Sequence, residues 1–165
     1  MPLENRDGQG VLQERWRAGF MLHVDGIVFA SGRVVLLAGR TVRAGTRVRS
    51  VVSPLAESSI ESILSYASEP WVPVTRLATV SWSSDIRVEC GEGAMGNEGF
   101  VAAVNTADNS LIWALFSSHS NPFVSVARDG DEVVVEGGYD QVWRLPFSAP
   151  EKFAVSEDVA GNATP

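Results

Sequence analysis

The stretch FMLHVDGIVFASGRVVLLAGR, Phe20 to Arg40, decides the fold class. Phe20, Leu22 and Val24 alternate with more polar neighbours, the period of a strand with one buried face. Asp25-Gly26 breaks the run, Ile27 to Phe29 resumes it, and Ser31-Gly32 breaks it again before Val34 to Leu37. Gly39 and Gly45 punctuate in the same way before Val48 to Val52. Short β-rich runs separated by glycine turns are the signature of an antiparallel barrel or sandwich. The expectation is a series of consecutive antiparallel barrel strands from Phe20 to Val52, with Gly32 at a tight turn.

Outward from this stretch, residues 1–18 read as a polar leader. Trp16 docks on the body, and Val11 to Arg17 fits a helix or a strand equally. After Ser53-Pro54, a suitable N-cap and first helical residue, Ile60, Ile63, Leu64 and Ala67 recur at helical spacing. One short amphipathic helix is therefore expected over about residues 55–67, closed by Pro70 and Pro73, with its apolar stripe packed on the core. Ser58 and Glu61 offer an alternative capping box. Strands follow at Val74 to Trp82 and Ile86 to Cys90, then a mobile or sharply turned glycine loop at Gly91 to Gly99. Phe100 to Val104 is apolar throughout, as in a strand buried on both faces. The last third reads as a β-meander, Leu111 to Phe116, Phe123 to Ala127, Glu132 to Val135 and Gln141 to Leu145, with a hairpin at Asp129-Gly130. Residues 156–165 read as a flexible tail, leaving a single domain over 19–155.

The composition is that of a globular chain: 165 residues, 45% hydrophobic and 20% charged. Trp82, Trp113 and Trp143 sit in apolar strand runs and are expected in the core. No apolar run approaches the roughly 20 residues that cross a bilayer, and the first ten residues lack the apolar stretch of a secretory signal. The lone Cys90 has no partner for an internal disulfide, and cytoplasmic residence is expected. Cys90 alternates with Ile86 and Val88, which places it as a small buried group rather than as a nucleophile.

The residue types that carry chemistry do not fall into catalytic patterns. No phosphate-binding loop exists, since the only lysine is Lys152. Gly91 to Gly96 fits Gly-x-Gly-x-x-Gly, but Glu92 stands where a pyrophosphate would lie. Neither His23 nor His119 has a His or Cys at ligand spacing, and Asp129, Asp131 and Glu132 run into three valines rather than a calcium loop. Ser118-His119-Ser120 precedes Asn121-Pro122, the composition of a turn rather than of a nucleophile. No cofactor, metal or catalytic residue is expected. An enzyme with carboxylates assembled only in space stays as an alternative.

Charge is unevenly placed. The net charge is −7, yet Arg33, Arg40, Arg43, Arg47 and Arg49 fall in one acid-free stretch. From Asp85 to Asp140 there are ten acids against only Arg87 and Arg128. Asp129, Asp131, Glu132 and Glu136 cluster around the expected hairpin and would project together to steer a basic partner. In an alternating strand Arg43, Arg47 and Arg49 would share a face and reach phosphates, or pair with acids opposite them.

The same opening stretch resembles the second, β-barrel domain of elongation factor Tu and related translation GTPases. That family opens with an apolar strand ending in Val-x-Asp-Val-Phe, then Gly-Arg-Gly, a second apolar strand and Thr-Gly-Arg. Here Gly32-Arg33 and Gly39-Arg40 fall at the family's spacing, Gly45 to Val48 looks like the following glycine turn and strand start, and Ala94 to Val104 is similar to its later alanine-glycine loop and strand. Val34, Ala38 and Ser50 depart from the pattern. The resemblance covers residues 20–52 and 94–104 and implies an antiparallel barrel of the translation-factor type. In the family this domain meets partner proteins and the end of aminoacyl-tRNA, while a separate domain performs hydrolysis. The C-terminal third, with Trp113 to Phe116, Ser120 to Phe123 and Trp143 to Pro146, resembles small bacterial immunity-type proteins. Two expectations follow: a non-enzymatic protein binder that neutralises a basic toxin through its acids, or an accessory barrel that binds RNA or translation components through its arginines.

Overall fold

The computed structural model describes residues 7–157. Residues 1–6 of the leader and 158–165 of the tail lie outside the described residues. The chain runs α1 (Gly8–Arg17), β1 (Phe20–Leu22), β2 (Gly26–Phe29), β3 (Arg33–Ala44), β4 (Arg47–Ser59), α2 (Ile60–Tyr66), β5 (Trp71–Pro73), β6 (Thr75–Ser81) and β7 (Ile86–Glu92). It continues with β8 (Gly99–Asn105), β9 (Leu111–Ser117), β10 (Ser125–Asp129), β11 (Glu132–Glu136), β12 (Gln141–Pro146) and β13 (Ala154–Glu157).

The protein is mainly β, with antiparallel pairing throughout the described sheets. Seven strands form one sheet in the order β4-β3-β2-β9-β8-β7-β6, and β10 to β13 form a four-stranded meander. β1 and β5 make a separate pair. The seven-strand order is open, with β4 and β6 at its ends, and no closed barrel is found among the described strands. Gly32 takes φ +91° in the turn between β2 and β3, so this expected turn is present.

Two apolar layers hold the sheets together. On one face Ile27, Val88, Val101, Trp113 and Leu115 meet Val133, Val135, Trp143 and Leu145 of the meander, with Phe123 between. On the other face Val28, Val34, Phe100, Ala102 and Phe116 meet Leu12 and Trp16 of α1, Met21 and Leu22 of β1, and Ile60 of α2. The middle sheet is therefore covered on both sides. That explains the uninterrupted apolar run of β8, whose residues from Gly99 to Val104 are all buried. Trp82, Trp113 and Trp143 are 8%, 2% and 0% exposed, as expected of core anchors. Each such burial contributes on the order of 1.5–3 kcal/mol or more.

One open choice is settled and three expectations are corrected. The segment Val11 to Arg17 is helical, with Asp7 capping α1 and Leu12 and Trp16 buried. The second helix does not begin near Leu55: β4 runs on to Ser59, whose hydroxyl accepts from the Ser62 N–H at 3.1 Å. Pro54 does not end the strand because β4 is an edge strand, where a missing N–H leaves no ladder bond broken. Leu111 to Ser117 belongs to the large sheet rather than the meander. Ser156 and Glu157 are not tail but pair with Val142 and Gln141 in β13.

Candidate partner-binding surface

The long β3–β4 hairpin turns at Gly45-Thr46, with Gly45 at φ +62° and Ala44 paired to Arg47. Positive φ at the first central position only is the geometry of a type II′ turn. Cross-strand partners share a face, so Arg40 with Val51, Val42 with Arg49, and Ala44 with Arg47 line one side of the arm. Arg43 pairs with Val48 and lies on the other side. The expected stripe of Arg43, Arg47 and Arg49 is thus replaced by Arg40, Arg47 and Arg49, because the turn sets the register.

The five arginines have different surroundings. Arg33, at the base, makes a bidentate pair with Glu57 at 2.6 and 2.9 Å and lies 3.7 Å from Glu151. Its hydrogen bond to Glu57 raises the guanidinium further and holds the Glu57 carboxyl below its usual range. Arg47 stands 3.9 Å from Glu157 of β13. Arg40, Arg43 and Arg49 are exposed and have no acidic partner among the described residues.

At the base of the arm the chain is pinned to the meander. The Ser50 N–H donates to Gln141 Oε1 at 2.9 Å, and Gln141 Nε2 donates to the Ser50 carbonyl at 2.8 Å. The Ser50 hydroxyl donates to the His119 carbonyl, and Gly39 leaves room for the His119 ring beside it. Next to Gln141 the β11–β12 hairpin closes through Tyr139 and Asp140, at φ +60° and +56°. Two successive left-handed residues make a type I′ turn, and each non-glycine there costs about 1 kcal/mol or more. Tyr139 is 43% exposed.

Three segments converge at this end of the sandwich. The Gly138 N–H donates to the Ser120 carbonyl at 2.8 Å, Asn121 N–H to the Asn97 carbonyl at 3.1 Å, and Val124 N–H to the Glu136 carbonyl at 3.1 Å. They bring exposed Met95, Val124 and Tyr139 to the same end as Glu136 and Asp140. Neither acid has an ion-pair partner among the described residues. Apart from the Gly137-Gly138 turn signal, nothing in the local sequence marks Tyr139 and Asp140 as site residues. Their conformation and the crossing of Ser118 to Phe123 between sheets are tertiary features.

The acidic hairpin expected from the sequence does not hold its four charges together. The two-residue turn is Gly130-Asp131, with only Gly130 at positive φ, so Asp129, Asp131 and Glu132 sit at one end of β11. Glu136 lies at the other end, about 13 Å along the strand. Arg144 pairs with Asp129 at 2.9 Å and with Glu132 at 3.2 Å. These two acids raise the Arg144 guanidinium, and the positive charge already offsets much of the local field.

The chemistry-bearing residues are engaged locally. Cys90 is fully buried, donates weakly to the Phe123 carbonyl at 3.4 Å, and burial pushes its thiol up to about 12. Ser118 bonds Asp25 twice, through its N–H at 2.6 Å and its hydroxyl at 2.8 Å. His23 Nε2 lies 2.8 Å from Oε1 of the buried Glu98, whose Oε2 accepts from the Met95 N–H at 3.2 Å. No serine hydroxyl bonds a histidine ring among the described residues. Against known proteins, no family model, no curated protein and no solved structure matches this chain.

Proposed function

We propose that the protein is a non-enzymatic binder of another protein, and that it docks through the end of the sandwich where the arginine arm meets the Tyr139-Asp140 turn. The observation that carries this is the Gln141–Ser50 pairing, which sets a basic ribbon beside an exposed aromatic flanked by acids. Exposed apolar residues gathered at one place favour burial by a partner, and tyrosine is among the commonest interface anchors. Charges of both signs within one surface fit a protein with complementary patches, one basic and set opposite Glu136 and Asp140. This is the work of an immunity or inhibitor protein that neutralises a basic toxin, the class that the C-terminal third resembles. Capture of a partner that is lost with Tyr139→Ala and with the Glu136→Gln/Asp140→Asn pair, yet kept with Asp129→Asn/Glu132→Gln, is the expected result. A partner retained by the first two variants overturns the assignment of this surface.

A second reading is binding of RNA or a translation component by the arm, as the barrel of the translation-factor type would imply. It is favoured by Arg40, Arg43 and Arg49, which carry no acidic partner among the described residues. Binding of a single-stranded RNA oligonucleotide that weakens steeply with salt, survives Tyr139→Ala and disappears on reversing these arginines would favour it.

A further inference from the structure

A second site lies on the opposite face of the large sheet from the meander, where α1 ends over β6, β7 and β8. A cleft of about 180 Å³ opens there, lined chiefly by Trp16, Arg17, Arg76, Arg87, Glu89 and Phe100. It is smaller than the roughly 300–1,000 Å³ of sites for drug-sized ligands, so its occupant is compact.

Its charge is unbalanced. Glu89 is only 6% exposed, and its Oε2 accepts from Arg87 Nε at 2.9 Å and from Arg76 Nη1 at 3.3 Å. Arg87 also donates to Asn109 Oδ1, and Arg17 Nε donates to the Asp108 carbonyl at 3.1 Å. Three guanidiniums therefore face the Glu89 carboxylate in the lining, with the Asp108 carboxylate 3.9 Å from Arg17 Nη2 at its edge. Each keeps N–H groups without a protein acceptor among the described residues: Nη1 of Arg87, Nε and Nη2 of Arg76, and Nη1 of Arg17. A guanidinium presents five donors in a planar fork that matches the two oxygens of a carboxylate or phosphate.

The second observation is independent of these charges. Trp16 is 6% exposed and edge-on to Phe100 at 6.2 Å, and its indole Nε1–H is buried with no partner among the described residues. A buried donor without an acceptor is rare in folded proteins and destabilising. An acceptor oxygen entering the cleft would meet the free arginine edges beside the Trp16 ring, which forms part of the wall. Val74, Gly19 and Phe100 supply apolar walls around it.

We propose that this cleft binds a small oxyanion, a carboxylate or phosphate group, held by Arg17, Arg76 and Arg87 against the Trp16 ring. The site is separate from the partner-binding surface and stands without it. The test is NMR titration of the full chain with inorganic phosphate and, separately, benzoate, following the indole N–H resonance that Trp16→Phe deletes. At least one anion should shift that resonance and saturate with a Kd of about 1 mM or tighter. The one that saturates identifies whether phosphate or carboxylate is the group recognised. Arg76→Gln should weaken binding about tenfold, and Arg17→Gln should do so to a smaller extent. Both side chains are half exposed, so neither change endangers the fold, whereas Arg87→Gln would strand the buried Glu89. Failure of both anions to saturate, or a shift unchanged in the Arg17→Gln/Arg76→Gln double variant, overturns the proposal.

Discussion

The side-chain amide of Gln141 pairs with the backbone of Ser50 as a neighbouring strand would, accepting from its N–H at 2.9 Å and donating to its carbonyl at 2.8 Å. Both residues are buried, so no bulk water stands ready to replace either bond. Gln141→Leu would leave a buried donor and acceptor unmade, at a cost of about 1–3 kcal/mol in urea unfolding. Gln141→Glu should cost at least as much, since a carboxylate would face the Ser50 carbonyl. A Gln141→Leu variant as stable as the parent would show that the arm is not tied to the meander through this pair.

Trp113 and Trp143 are equally buried but differently satisfied. Trp113 Nε1 donates to the Phe147 carbonyl at 3.0 Å, while Trp143 Nε1 is buried without a partner among the described residues. Replacing either ring by alanine should cost about 3–5 kcal/mol. Replacement by phenylalanine separates them: Trp113→Phe should be the more damaging by about 1 kcal/mol, because it orphans a carbonyl. Equal losses in chemical denaturation would contradict this.

Cys90 makes a pH signature. Burial first, and the adjacent Glu89 charge second, raise its folded-state thiol to about 12 from an ordinary value of 9.0. Between those values the unfolded chain has lost the proton that the folded chain keeps. Stability contributed by the neutral buried thiol is thus fully present below pH 9 and declines as pH rises toward 12. Cys90→Ala should flatten that decline in unfolding measured across the alkaline range. Thiol-labelling reagents at pH 8 should react with the native protein only as fast as it opens.

Tyr139 holds a left-handed backbone that glycine adopts freely. Tyr139→Gly is expected to keep or raise the melting temperature, by up to about 1 kcal/mol of relieved strain, while removing the anchor of the proposed interface. Loss of an anchor of this kind weakens partner binding by about 2 kcal/mol or more. A variant that melts lower and still binds as the parent does would remove Tyr139 from the surface.

The acids on β11 should act unequally. Asp129 and Glu132 share Arg144 on an exposed face, so Asp129→Asn/Glu132→Gln should shift stability by no more than about 1 kcal/mol. It should also leave the association rate with a basic partner nearly unchanged. Glu136→Gln with Asp140→Asn should slow association at low salt and lose its effect as salt rises. Stopped-flow measurement of both variants against one captured partner distinguishes the two ends of the strand.

Much of the architecture was legible because it is local. Glycine turns at Gly32 and Gly45, the short apolar runs of β3 and β11, and the doubly buried β8 each follow from a few neighbouring residues. The start of α2 was not legible, because Pro54 is compatible with a helix start and with an edge strand, and only the pairing of β3 with β4 chooses between them. The faces of Arg43 and Arg47 depend on the register that one turn imposes. The charge partners of Asp129 and Glu132 depend on Arg144, a residue on a neighbouring strand. The Arg17, Arg76 and Arg87 cleft joins segments far apart in the chain, and nothing in the local spacing of any one announces the others. Backbone preferences act over a few residues and are written into the sequence. Which charges meet, and which donors are left without acceptors, is set when the sheets stack, and only the tertiary structure decided it.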